Sequence, residues 1–115
     1  MNEKEKRREL ARQYKERTVT GGVWAVVNRE TGRILLGSDM DPAGSRNRFA
    51  FAQKTGSCVL LKLNGDWQKY GPDAFELSVL EEIEMQPDQT LRQFREDLSA
   101  LEEIWREKLT GKLFY

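Results

Sequence analysis

The chain has 115 residues, of which 38% are hydrophobic and 33% charged, with 19 basic side chains, 19 acidic ones and no histidine. Length and composition are typical of one globular domain, and the absence of a long apolar run or a signal core predicts a cytoplasmic protein without membrane contact. Without histidine the chain lacks the commonest general base and zinc ligand, and its single cysteine excludes an internal disulfide.

Residues 1–19 form the first predicted element, a charged helix over residues 2–17 with Asn2 as its cap. A hairpin follows, because Val23–Val27 is a β-branched apolar run and Arg33–Gly37 returns as its partner after a turn at residues 29–32. The next predicted helix is Arg46–Lys54, which ends at a glycine.

Residues 58–70 are predicted as a second core helix with Leu60, Leu61, Leu63 and Trp67 on one side, and Phe75–Leu80 as a third strand. The last helix begins at a capping box, Thr90 to Gln93, and carries a strong apolar stripe. These elements predict an α+β domain over residues 20–110, a small three-stranded antiparallel sheet flanked by helices, followed by a tail at residues 111–115.

Charge is unevenly distributed along the chain. Residues 1–72 carry fourteen basic and eight acidic side chains, a net charge of +6, whereas residues 73–107 carry three and eleven, a net charge of −8. The basic part is compatible with a nucleic-acid surface, for which Arg46, Arg48, Lys54 and Lys62 are the candidates. Ordinary solvated helix faces would show the same charges.

Two tripeptides give the strongest motif signal. Gly22-Val23-Trp24 and Leu35-Leu36-Gly37, with Lys62-Leu63, Asp66-Trp67 and the later run Val79-Leu80-Glu81-Glu82, resemble the GIY-YIG nuclease family over residues 20–108. The resemblance implies a metal-dependent nuclease fold. In that family two tyrosines flank the scissile phosphate, a helix arginine binds it, and a glutamate on the last helix holds a divalent cation such as Mg²⁺ or Mn²⁺.

Most of those positions have changed in this chain. The tyrosine positions hold Trp24 and Leu35, which we expect side by side on one sheet face, and neither can act as a base. The helix arginine falls on Ser45, although Arg46 or Arg48 could return a guanidinium after a small shift.

Glu102 occupies the metal-glutamate position, and two readings of it stay open. It borders the apolar stripe of the last helix and could lean toward the sheet as a metal ligand. It also precedes Arg106 by four residues, the spacing of a surface ion pair.

These residues lead to three hypotheses. The first is a GIY-YIG-like domain with impaired catalysis that binds DNA, RNA or another phosphate-bearing ligand in the former active-site groove, with no cofactor firmly implied. The second is an active divalent-metal-dependent endonuclease that uses Glu102. The third is a protein-interaction module that engages partners through its N-terminal helix or its acidic last helix.

Overall fold

A computed structural model describes residues 2–6, 19–58 and 60–115. Residues 3–6 are helical, and the Glu5 amide donates to Asn2 Oδ1 over 2.9 Å, which confirms the predicted cap. The remainder of the helix predicted over residues 2–17 lies outside the described residues. None of the helices in the described ranges is both long and apolar enough to cross a membrane.

The centre of the fold is a three-stranded antiparallel sheet with strand order β2-β1-β3. Strand β1 is Thr20–Asn28, β2 is Ile34–Asp39 and β3 is Phe75–Glu84. The predicted hairpin and third strand are therefore confirmed, but β3 continues four residues past Leu80. Acidic residues interrupt its apolar pattern there, while the backbone still pairs with the first residues of β1.

Helix α1, Pro42–Thr55, extends the predicted helix by one turn at its start. Asp41 caps it by accepting a hydrogen bond from the Gly44 amide over 3.0 Å, and proline fits the first helical turn because its missing N–H would have no partner there. The helix ends at Gly56, whose φ of 76° is left-handed.

The prediction of one helix over residues 58–70 is wrong at its start. A short 3₁₀ turn at Leu61–Leu63 leads into helix α2, Asn64–Tyr70. Leu63 and Trp67 are buried as predicted, whereas Leu61 is 91% exposed. The 3₁₀ turn changes the angular spacing of the leucines, so a pattern counted at 3.6 residues per turn placed Leu61 incorrectly.

Helix α3, Leu91–Lys108, begins with the predicted capping box. Thr90 Oγ1 accepts from the Gln93 amide over 3.1 Å, and Gln93 Oε1 accepts from the Thr90 amide over 2.9 Å. Two otherwise unpaired backbone donors are satisfied in this way.

The sheet separates two apolar clusters. The α1 face of the sheet carries Val26 and Leu35, which pack with Phe49, Trp67 and Phe75. The opposite α3 face carries the intervening strand residues and packs against helix α3; its members are Val23, Ala25, Ile34, Leu36, Leu101 and Trp105. Side chains alternate between the two faces along each strand, so residues 24 and 35 belong to the α1 face.

The final residues of the chain pack on the outer edge of β2. The Ile34 amide donates to Leu113 O over 2.8 Å, and the Tyr115 amide donates to Ile34 O over 2.9 Å. Tyr115 Oη then donates to Asp66 Oδ2 over 2.6 Å and accepts from Asn28 Nδ2 over 3.1 Å. Asn28 is fully buried, and burial of its amide without hydrogen bonds would destabilise the fold; this network supplies those bonds.

Candidate functional site

The two motif positions on the sheet share a face but are not directly paired. Trp24 lies opposite Gly37, and Leu35 lies opposite Val26. The expectation that residues 24 and 35 sit side by side is therefore wrong by two residues in the strand register. Because side chains alternate with a period of two, both residues still lie on the α1 face. Leu35 is 9% exposed and belongs to the core, so it offers no surface to a ligand.

The indole of Trp24 covers Gly37 at close range. A Cβ added to Gly37 would lie 2.2 Å from Trp24 Cζ2, so the glycine provides the space that the indole occupies. Trp24 Nε1 is buried and has no hydrogen-bond partner among the described residues. The tryptophan thus fills the motif position with apolar bulk, and its one polar group is unpaired within the described part of the chain.

A polar cluster stands next to Trp24, where β2 ends and α1 begins. Arg48 Nη2 donates to Ser45 Oγ over 3.0 Å and lies 3.4 Å from Asp39 Oδ2. The Ser45 hydroxyl donates to the same Asp39 oxygen. Ser45 and Arg48 are one helical turn apart, so the guanidinium reaches back to the serine.

Trp24 and this cluster line one small cavity, which we call the Trp24 groove. Its volume is about 160 Å³, and it is lined by Trp24, Asp39, Ser45, Arg48, Phe49, Leu60 and Leu77. Of the four family motif positions, Trp24 and Ser45 line the groove. Leu35 lies on the same α1 face of the sheet but outside the groove. Arg48 is the cation that accompanies them, with a side chain that is 63% exposed.

The other basic candidates are exposed but do not form one patch. Arg46 lines a separate cavity with Arg29, Gln53 and Glu76 on the β3 side of α1. Lys54 lies in the last turn of α1, and Lys62 lies in the 3₁₀ turn that follows. Around the helix axis, Lys54 lies about 80° from Arg46 and about 120° from Arg48, so the three cations are spread around α1.

Glu102 lies away from this groove. It is on helix α3, whose Leu101 and Trp105 pack on the α3 face of the sheet. Its carboxylate is 3.6 Å from the Arg106 guanidinium, and the glutamate side chain is 23% exposed. Of the two interpretations of Glu102, the surface ion pair with Arg106 matches the contact in the structure. Glu102 lies on the helix that covers the α3 face, whereas Trp24 lies on the α1 face.

A divalent cation, which the GIY-YIG resemblance implies, does not fit these residues. The described parts of the chain contain no group of three or more carboxylate or thiol side chains that could hold a metal ion. Glu102 alone, engaged by Arg106, supplies one carboxylate where Mg²⁺ prefers an octahedral set of oxygen ligands.

The structure is similar to solved structures of one nuclease domain. The catalytic domain of the homing endonuclease I-TevI aligns with a TM-score of 0.56 and 24% identity, covering 79% of this chain and 89% of that chain. A single-substitution mutant of the same catalytic domain aligns with a TM-score of 0.56 and 22% identity, over 80% and 86%. The fold is that of the I-TevI catalytic domain. The I-TevI-like fold agrees with the GIY-YIG resemblance of the motif residues.

No protein-family profile and no curated protein matches the sequence. The identity to the I-TevI domain is low, so the likeness establishes the architecture: an α+β domain with a three-stranded antiparallel sheet between helices.

Two residues that matter for the site, Asp39 and Phe51, are not among the candidates predicted from the sequence. Asp39 was not a candidate, yet it holds both Ser45 and Arg48. Its place two residues before the helix cap Asp41 was the available signal. Phe51 was not a candidate either; it lies two residues after buried Phe49, on the opposite side of the helix, and is 67% exposed.

Proposed function

We propose that this chain is a GIY-YIG-like domain that binds nucleic acid through helix α1 and its Trp24 groove without hydrolysing the phosphodiester. The observation that carries the proposal is that Arg48 lies in the groove beside Trp24 and Ser45, while the groups that a hydrolytic reaction needs are elsewhere or replaced. The neighbouring I-TevI domain is described as an endonuclease catalytic domain, which makes nucleic acid the first ligand class to consider.

The absence of hydrolysis in this proposal rests on the residues at the family motif positions. Hydrolysis of a phosphodiester needs an oriented nucleophile and neutralisation of the charge that develops on the oxygens. Trp24 has an indole N–H that cannot accept a proton, and Leu35 has no polar side-chain atom. Glu102 is held by Arg106 on the helix that covers the α3 face. Arg48 can neutralise phosphate charge in the groove, but the groove's one carboxylate, Asp39, is engaged by Ser45 and Arg48 and is not free to activate a nucleophile.

Retention of binding is supported by the charge of the α1 region. Residues 42–65 include Arg46, Arg48, Lys54 and Lys62 and contain no aspartate or glutamate. All four of these cations are exposed, and such side chains bind the phosphate backbone in a sequence-independent and salt-dependent manner.

Asp39 limits how strongly Arg48 can bind a phosphate. Its carboxylate competes for the guanidinium at 3.4 Å, but the arginine side chain is 63% exposed and has five N–H donors. A phosphate can therefore bind the outward edge of the guanidinium while Asp39 and Ser45 orient the inward edge. This arrangement favours modest affinity that depends on several cations acting together.

Titration of a fluorescently labelled oligonucleotide at low and moderate salt tests the proposal. We expect affinity to fall with salt, and the double substitution Arg48→Ala with Lys62→Ala to weaken binding and to reduce the salt slope by about 1.5, since each lost phosphate contact removes roughly 0.7–0.9 from it. Arg92→Ala is the matched control, because Arg92 is 90% exposed on acidic helix α3 and should leave the titration unchanged.

Two results would contradict the binding proposal. One is the absence of binding to any oligonucleotide at low salt. The other is equal weakening by Arg92→Ala and by the double substitution, which would place binding outside α1. A third result would support the interaction-module hypothesis instead: no nucleic-acid binding, together with co-purification of a protein partner that is lost when acidic residues of helix α3 are substituted.

A further inference from the structure

An exposed aromatic ring lies among the cations of helix α1. Phe51 is 67% exposed, and it falls three residues after Arg48 and three before Lys54, so each of these cations lies about one helical turn from the ring. Phenylalanine is an apolar residue that folding would normally remove from water. Phe51 belongs to neither apolar cluster of the described core, so core packing does not explain a phenylalanine at this position between two cations.

Phe51 also lines an open groove beside the Trp24 groove. This second groove has a volume of about 660 Å³, which is within the range of ligand-binding clefts, and its walls include Asn47, Arg48, Phe51, Thr55 and Ser57. Arg48 borders both grooves. Arg48 therefore belongs to the linings of both grooves, and we call the surface of α1 from Trp24 to Phe51 the α1 path.

The chemistry of this path distinguishes among ligands. A duplex presents phosphates on its outside and keeps its bases stacked inside. Duplex binding would therefore use the cations, and no base would stack on Phe51. A single strand presents both phosphates and unstacked bases, and proteins bind it by combining a basic groove with aromatic stacking platforms. Phenylalanine and arginine are also enriched in protein interfaces, so a protein partner is the competing occupant that the test must separate from a single strand.

We propose that the α1 path binds single-stranded nucleic acid, DNA or RNA, with one base stacked on Phe51 and the adjoining phosphates on Arg48 and Lys54. This inference rests on the proposed function and specifies its ligand. Asn47 and Ser57 in the same groove supply neutral polar groups that can meet the edge of the stacked base without selecting one sequence.

The test compares labelled oligothymidine and oligouridine of about 12 nucleotides, within the usual site size, with a dA·dT duplex of the same length. Wild-type protein should bind the single strands more tightly than the duplex. Phe51→Ala should weaken single-strand binding roughly 5- to 150-fold, the change expected for loss of one stacked base at about 1–3 kcal/mol, and leave duplex binding and its salt slope unchanged. Phe51→Trp should retain or strengthen single-strand binding.

Leu113→Ala is the matched control, because Leu113 is 66% exposed, close to the exposure of Phe51, and lies at the β2 edge. It should change neither titration. Equal weakening of duplex and single strands by Phe51→Ala would overturn the stacking inference while leaving the proposed function in place. If Phe51→Ala only abolished a protein dimer seen by sedimentation, a second copy would be the occupant and the inference would be wrong. Failure of wild-type protein to bind any of the three probes would refute the proposed function itself.

Discussion

Substitution Gly37→Ala tests the packing that closes the motif position. The φ angle of Gly37 is not positive, so alanine meets no backbone strain there and the cost is steric alone. The added Cβ would lie 2.2 Å from Cζ2 and 2.6 Å from Cε2 and Cη2 of Trp24. Contacts under 3 Å require the neighbour to move, and here the neighbour is a rigid ring.

The expected loss of stability follows from two opposing effects. Overpacking a well-packed site costs about 1–3 kcal/mol, and replacing glycine by alanine restricts the unfolded chain and returns about 0.4–1 kcal/mol. We therefore expect Gly37→Ala to lower the free energy of unfolding by about 1–2 kcal/mol. Gly65→Ala is the control of opposite sign: no atom lies within 4 Å of its added Cβ, and alanine favours the helix by about 0.5–1 kcal/mol.

Urea titrations of both variants provide the assay, with a double-mutant cycle to isolate the contact. Trp24→Ala removes the ring, so Gly37→Ala in that background should no longer destabilise, giving a coupling of about 1–2 kcal/mol within the range seen for contacting residues. If Gly37→Ala were neutral in the wild-type background, or equally costly with and without Trp24, the indole would not cover Gly37 and the described site would be incorrect.

Three further predictions concern other parts of the fold. Burial and the neighbouring Asp66 carboxylate raise the pKa of Tyr115 from its ordinary value of 10.0, so the stability it contributes is complete below that pH and declines as pH rises through the raised pKa; Tyr115→Phe should cost about 1–2 kcal/mol at neutral pH and flatten this alkaline decline in urea titrations. Thr90→Ala should lower the free energy of unfolding by about 1 kcal/mol, because it removes the capping bond to Gln93, and an unchanged urea midpoint would contradict the cap. Glu102→Ala should change stability by less than about 1 kcal/mol and leave oligonucleotide affinity unchanged; a marked loss of affinity would show that this carboxylate belongs to the site.

Local sequence signals predicted those parts of the fold that local physics controls. The hairpin, the capping box at Thr90 and the stop at Gly56 each depend on a few neighbouring residues, and each is confirmed. The register of Trp24 was not predictable in the same way. It depends on a loop of five residues between β1 and β2 that includes Gly32 at φ 77°, and counting residues between motifs cannot fix its geometry.

Long-range placement explains the remaining differences. The pattern around Glu102 showed that it borders an apolar stripe, but not which face of the sheet the stripe would cover. The docking of Tyr115 on Asp66 joins residues 49 positions apart and has no local signature. The pairing of Asp39 with Ser45 and Arg48 spans only six and nine positions, but it depends on how the end of β2 leads into α1. Phe51, by contrast, follows the local pattern: it lies two residues after buried Phe49, hence on the opposite side of helix α1, and it is exposed.

The most direct test of the central claim is a nicking assay run under conditions where binding is measured in the same tubes. Wild-type protein is incubated with supercoiled plasmid and with single-stranded oligonucleotide in the presence of Mn²⁺, and each sample is analysed by gel with and without removal of the protein. We expect retarded complexes before deproteinisation and intact nucleic acid afterwards. Nicked plasmid that Glu102→Ala abolishes would contradict it, because that result would make the chain an active metal-dependent endonuclease.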